Sequence, residues 1–169
     1  MLFRSGSNVD YDKWQVEVQD DWNANLLGTF SFKYISGGFI NDRSVEVQDF
    51  NHFPGNRFSF STDYLSAFQL PEYYIFSNQS VLFNAIYTEH HFNGFITNKI
   101  PGFKKLNWFL VAGARALWYD QNTYVEWNFG LENILKVLRF DIVYGAKNGS
   151  LVLPEFRIGS RIQLSESID

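Results

Sequence analysis

The chain has 169 residues, with 18 Phe, 9 Tyr and 5 Trp making an aromatic share of 19% beside a charged share of 19% and no Cys, at a mean hydropathy of -0.19. These figures exclude a disordered chain, a disulfide scaffold and a thiolate metal site. Fourteen Lys and Arg against 18 Asp and Glu, a net charge of -4, give no electrostatic footprint for nucleic acid.

Residues 1–10 hold no continuous apolar stretch that could serve as a signal-peptide core, and no window reaches the roughly eighteen apolar residues of a membrane helix. A chain that nonetheless crosses an inner membrane is therefore expected to be a mature form or a fragment of something longer; otherwise it is cytosolic. Short, alternating membrane strands are untouched by this argument.

Alternation with period two runs from one end to the other, and no helical periodicity of ten or more residues interrupts it. Strands are expected over 12–20, 27–35, 57–64, 80–90, 107–119, 124–131, 138–144 and 156–164. Each carries one apolar and one polar face. In 107–119, for example, Trp108, Leu110, Ala112, Ala114, Ala116 and Trp118 oppose Arg115. Turn chemistry punctuates the pattern at Asp20-Asp21, Gly37-Gly38, Ser77-Asn78, Gln121-Asn122 and Asn148-Gly149. The pentapeptide VEVQD occurs at 16–20 and again at 45–49, which alone does not make a repeat architecture. No linker divides the chain. The expectation is an all-β single domain over 1–169, an antiparallel meander of about eight to ten strands.

Such strands build either a soluble barrel with its apolar face inward or a membrane barrel with that face toward lipid. Trp108 and Trp118 lie ten residues apart on one face with only Leu and Ala between them. On a strand tilted by about 40° this spacing projects to roughly 25 Å, the height of the apolar band between aromatic girdles. Trp127 is the third candidate for a lipid girdle. If the apolar faces look outward, Arg115, Glu126, Arg139, Asp141, Arg157 and Arg161 face a lumen, where charges on neighbouring strands could pair.

Three blocks go beyond pattern: DFNHFPGN at 49–56, EHHFNGFITNKIP at 89–101 followed by KKLNW at 104–108, and FGLENILKVLRFD at 129–141. In order and spacing they resemble the C-terminal membrane region of a Bacteroidota outer-membrane family of unknown function, whose members usually carry an N-terminal domain similar to the carboxypeptidase regulatory module. The motif residues are His52, Phe53, Gly55 and Asn56 in the first block, and Glu89, His90, His91, Phe92, Asn93, Gly94, Phe95, Asn98, Lys99 and Pro101 in the second. The resemblance implies a transmembrane β-barrel, or the C-terminal part of a larger one, distantly similar to the surface-antigen barrels of outer-membrane assembly. It implies lipid, and other outer-membrane or periplasmic proteins, as partners. This chain departs from the family in lacking the regulatory-like domain and a signal peptide, and in ending on SESID, 165–169, where many such barrels stop at an aromatic residue.

Glu89, His90 and His91 invite a metal reading, but neighbouring strand residues point to opposite faces, and His52 is distant. No Gly-Xaa-Ser-Xaa-Gly elbow or Cys nucleophile is present, although His52, Ser59, Ser61 and Asp63 could be assembled into a triad on paper. No cofactor and no catalysis are expected. The segment 92–106 reads as the longest connection and as the functional loop, packed against the barrel end or plugging it. Counting back from a last strand that ends in the periplasm would put this loop on the periplasmic side, where turns are normally short. The function expected is that of an outer-membrane barrel with a structural, transport or assembly role. The alternatives are a soluble lipid-binding barrel and an outer-membrane lipid-modifying enzyme.

Overall fold

The computed structural model describes residues 9–56, 60–61, 64–72 and 74–160. Eight strands form one sheet: β1 (Asp10–Asn23), β2 (Thr29–Ser44), β3 (Phe60–Ser61), β4 (Phe83–His91), β5 (Phe109–Tyr119), β6 (Asn122–Ile134), β7 (Leu138–Lys147) and β8 (Ser150–Ser160). Their order is β1-β2-β4-β5-β6-β7-β8-β3. Seven of them make an antiparallel meander, and β3 lies parallel to β8 through Phe60 beside Ile158 and Ser61 beside Gly159. Among the described residues β1 and β8 are not paired and the sheet is not closed, as in part of a barrel. The only α-helix among the described residues is α1 (Pro101–Leu106), and no helix is long and apolar enough to cross a membrane.

The alternating pattern gives the right elements with different limits. Asp20-Asp21 and Gly37-Gly38 fall inside β1 and β2, not between strands. The two glycines keep β2 extended because a Cβ on Gly37 would collide with the Phe83 ring and one on Gly38 with the Val81 backbone. β8 begins six residues before Phe156, and Pro154, which conceals it in the sequence, falls in the register shift between Val143 and Gly145. A residue with no N–H is tolerated there because the ladder is interrupted. Of the strand expected over 57–64, only Phe60–Ser61 is extended among the described residues; 57–59 and 62–63 lie outside them. The two VEVQD copies diverge: the first lies in β1, while Val47–Asp49 in the second form a 3-10 turn. Neighbours, not local sequence, decide between the two conformations.

The longest connection is 45–82, between β2 and β4, and not the expected 92–106. It crosses one face of the sheet. At one end Tyr11 donates to Asp49 Oδ1 (3.0 Å) and Lys13 to the Phe50 carbonyl (3.1 Å); at the other, β3 joins β8. Phe53, Phe68 and Phe76 from this segment pack on Phe83, Ala85 and Tyr87 of β4, Leu117 of β5 and Tyr124 of β6. Phe53 meets Phe83 edge-on at 4.9 Å between ring centroids, and Phe68 lies 5.2 Å from Tyr87. The packing role expected of 92–106 thus falls to 45–82, whose aromatic rings and Gly and Pro breaks outside 57–64 show neither strand nor helix period.

The other face carries no such cover. Trp22, Trp118, Phe129, Phe140, Leu151 and Phe156 are exposed there, Phe156 at 75%. Aromatic residues therefore divide between the two faces, and the interior is not the wholly polar lumen that the pattern suggested.

Phe68 is fully buried, so Phe68→Ala is expected to lower the unfolding free energy by about 3–5 kcal/mol. Denaturant titration of the full chain measures this, and an unchanged midpoint would show that the segment is not packed on the sheet.

Candidate functional site

The covered face is aromatic toward the β5–β6 turn and ionic toward the opposite rim. This second half is the candidate site. Period-two alternation places Glu89 and His91 of β4, Arg115 of β5, Glu126, Asn128 and Glu132 of β6, Arg139 and Asp141 of β7, and Arg157 of β8 on this one face. Arg115 and Glu126 are 0% exposed. Arg161 lies outside the described residues.

Some of these charges meet across strands. Arg139 binds Asp141, two residues along its own strand, with Nε donating to Oδ2 at 2.7 Å and Nη2 to Oδ1 at 2.9 Å. Its Nη1 reaches Glu89 of β4. Asn128 bridges the centre, donating to Asp141 Oδ1 (2.7 Å) and accepting from Arg115 Nη1 (2.9 Å). His91 Nδ1 lies 2.9 Å from Glu132 Oε2, and its Nε2 lies 3.5 Å from Glu89 Oε1.

Other charges are satisfied by the covering segment. Glu126 accepts the backbone N–H of Gln69 (2.8 Å) and of Leu70 (2.8 Å), besides the Tyr124 hydroxyl (2.7 Å). Arg157 donates through Nε to the Gln69 carbonyl at 2.9 Å, and Arg115 through Nε to the Tyr64 carbonyl at 2.8 Å. The Arg139 guanidinium stacks 3.6 Å from the Tyr64 ring centroid. Burial, with the Asp141 carboxylate adding to it, pushes the Tyr64 phenol well above its usual range and keeps it neutral. Three strands therefore hold 64–70 largely by its backbone, which supplies partners to Glu126 and to the Nε groups of Arg115 and Arg157.

Space for these polar side chains comes from glycines one strand away. Gly113 stands opposite Asn128 and Glu89, Gly130 opposite Asp141, Gly145 opposite Glu126 and Gly159 opposite Arg139. A Cβ on Gly113 would lie 2.6 Å from Asn128 Oδ1, and one on Gly130 2.6 Å from the Phe140 carbonyl oxygen. Residue-by-residue alternation did not flag this pairing. The signal that could have found it is a glycine on one strand at the level of a charge on the next.

The first block binds the covering segment together. His52 Nδ1 is 2.8 Å from Ser77 Oγ, Asn56 donates to Gln69 Oε1 at 3.3 Å, and a Cβ on buried Gly55 would collide with the Pro71 carbonyl. His52 thus pairs with Ser77; of the triad drawn on paper, Ser59 and Asp63 lie outside the described residues. Beside that pair the N–H groups of Ser77 and Asn78 already donate to the Tyr74 and Asn51 carbonyls, so neither offers an oxyanion donor.

The second block is mostly rim. His90 projects from the face opposite His91, with Nε2 2.9 Å from the Leu27 carbonyl and its ring on Phe92 at 4.4 Å. No group of three potential metal ligands occurs among the described residues. Asn93 and Gly94 both take positive φ, which an Asn-Gly pair supplies at a turn. Lys99 lies 4.5 Å over the Phe95 ring, the Asn98 N–H donates to the Gly94 carbonyl, and Pro101 opens α1. Trp108 precedes β5 and packs edge-on against Phe103, Trp118 lies near the far end of the same strand, and Trp127 sits at mid-strand opposite Ala114.

Glu126→Ala strands two buried N–H groups and leaves Arg157 and Arg115 near an unbalanced interior; a loss of about 3–5 kcal/mol is expected. Hydrogen exchange should show the amides of Gln69 and Leu70 losing protection before those of β6. Gly130→Val, which overfills the same seam, should cost about 1–3 kcal/mol by denaturant titration.

Residues 3–131 match the family of unknown function described as the DUF5686 C-terminal domain. Comparison with curated proteins gives no match, and neither does comparison with solved structures. The match covers most of the chain, its first two blocks included, and the chain belongs to the DUF5686 C-terminal domain family.

Proposed function

We propose that this chain is part of an outer-membrane β-barrel of a Gram-negative bacterium, with lipid as its immediate partner and a structural, transport or assembly role without catalysis. The observation that carries the reading is the distribution of polarity across the sheet. Buried Arg, Glu and Asp occupy the covered face, while Trp22, Trp118, Phe129 and Phe156 stand exposed on the other. A water-soluble monomer rarely exposes a contiguous apolar patch beyond a few hundred Å², and a lipid-facing strand requires one.

The open sheet fits this reading. In a bilayer every backbone N–H and C=O needs a partner, so a membrane sheet must close. β1 presents a free edge of fourteen residues, and further strands are needed to complete the ring. Such strands belong to a larger barrel of which this domain is the C-terminal portion, which agrees with the family's description. A Bacteroidota source and a regulatory-like N-terminal domain in the whole protein belong to the same proposal. A soluble lipid carrier, by contrast, needs an accessible interior, and here 45–82 fills the covered face with Phe53, Phe68 and Phe76.

Cell fractionation tests the reading. The full-length protein should sediment with outer membranes, resist extraction by carbonate and high salt, and migrate differently in SDS gels before and after heating. Recovery in the soluble periplasm or cytosol would overturn it.

A further inference from the structure

Residues 92–108, between β4 and β5, hold Lys99, Lys104 and Lys105 and no Asp or Glu, in a chain whose net charge is -4. All three lysines are exposed. Among the described residues no carboxylate pairs with them, whereas Lys33 is bound 2.8 Å from Glu17. Beside them Ile96, Ile100 and Leu106 are exposed as well, Leu106 at 54%. A cleft of about 350 Å³ opens where this segment meets the β1–β2 turn, lined by Asn25, Leu26, Asn93, Phe95, Asn98 and Lys99.

We propose that 92–108 is a docking element for a lipid surface bearing phosphate headgroups. The inference rests on the membrane reading above and adds the chemistry of the lipid. Exposed lysines without a carboxylate partner among the described residues and exposed Ile and Leu side chains occur here on one short segment, with Lys99 over the Phe95 ring. Both together, at the rim where the uncovered apolar face ends and Trp108 packs on Phe103, match an interface of acyl chain and anionic headgroup. The amide groups of Asn25, Asn93 and Asn98 and the Lys99 ammonium are hydrogen-bond donors suited to phosphate oxygens.

The test uses the full-length protein folded in a zwitterionic detergent, with native mass spectrometry counting bound phosphatidylglycerol or phosphatidylcholine. Phosphatidylglycerol should be retained preferentially. K99Q/K104Q/K105Q should lower its affinity on the order of a hundredfold, leaving phosphatidylcholine unchanged, and K99R/K104R/K105R should restore the preference. Equal binding of the two lipids, or a preference that survives the Gln variant, overturns the proposal while leaving the membrane reading intact. Displacement of phosphatidylglycerol by glycerol phosphate at equal potency overturns it in favour of a free-anion site. A protein that binds neither lipid and stays monodisperse without detergent overturns the membrane reading, and this proposal with it.

Discussion

The arrangement depends on one requirement: an ionic group taken out of water must find its partners inside. Five strands carry buried Arg, Glu or Asp onto one face, and the strands alone do not neutralise them. Arg139 finds Glu89 and Asp141, but Glu126 and the Nε of Arg157 and Arg115 are completed by the peptide groups of Tyr64, Gln69 and Leu70. An unpaired buried ion costs several kcal/mol even after relaxation. The covering segment is thus a condition for the sheet's own sequence, and the sheet's charges fix the segment's position.

This reciprocity explains the division of the interior. Where 45–82 offers side chains, the sheet offers rings and methyls: Phe53 and Phe76 near Phe83 and Tyr124. Where it offers backbone, the sheet offers charge. Gly113 opposite Asn128 and Gly130 opposite Asp141 belong to the same logic, since a larger residue would occupy the volume the polar side chains need. With most of its ionic groups turned to the covered face, the sheet leaves its other face largely to apolar side chains such as Trp22, Trp118, Phe129 and Phe156.

How far the sequence could be read follows from what leaves a periodic trace. β4 to β7 are legible to within three residues because each alternates strictly and ends at a turn such as Asn148-Gly149. Arg115, Glu126, Arg139 and Asp141 share a face by parity alone. Their partners are not legible: strand pairing of charges was expected, but Glu126 is held by two N–H groups, and any residue has an N–H. The covering segment escaped for the same reason. Its geometry is set by side chains on distant strands, and outside 57–64 its own Phe, Gly and Pro residues carry no period. In the 89–101 block, the Asn-Gly turn and the helix-opening Pro are local chemistry, whereas Glu89 and His91 belong to the interior network, so one motif serves two sites.

The same energetics constrain the functional classes that remain. A transport path through the covered face would need 64–70 to withdraw. That movement would remove the carbonyl and N–H partners of Arg115, Glu126 and Arg157 together, a cost of several kcal/mol for each ion unless water replaced every contact. The aromatic half would lose Phe68 from its place between Tyr87 and Tyr124 in the same movement. Opening by partial displacement is therefore costlier than either end state, because it exposes charges to neither protein nor bulk water. A segment held this firmly fits the structural or assembly role proposed above better than a gated pore.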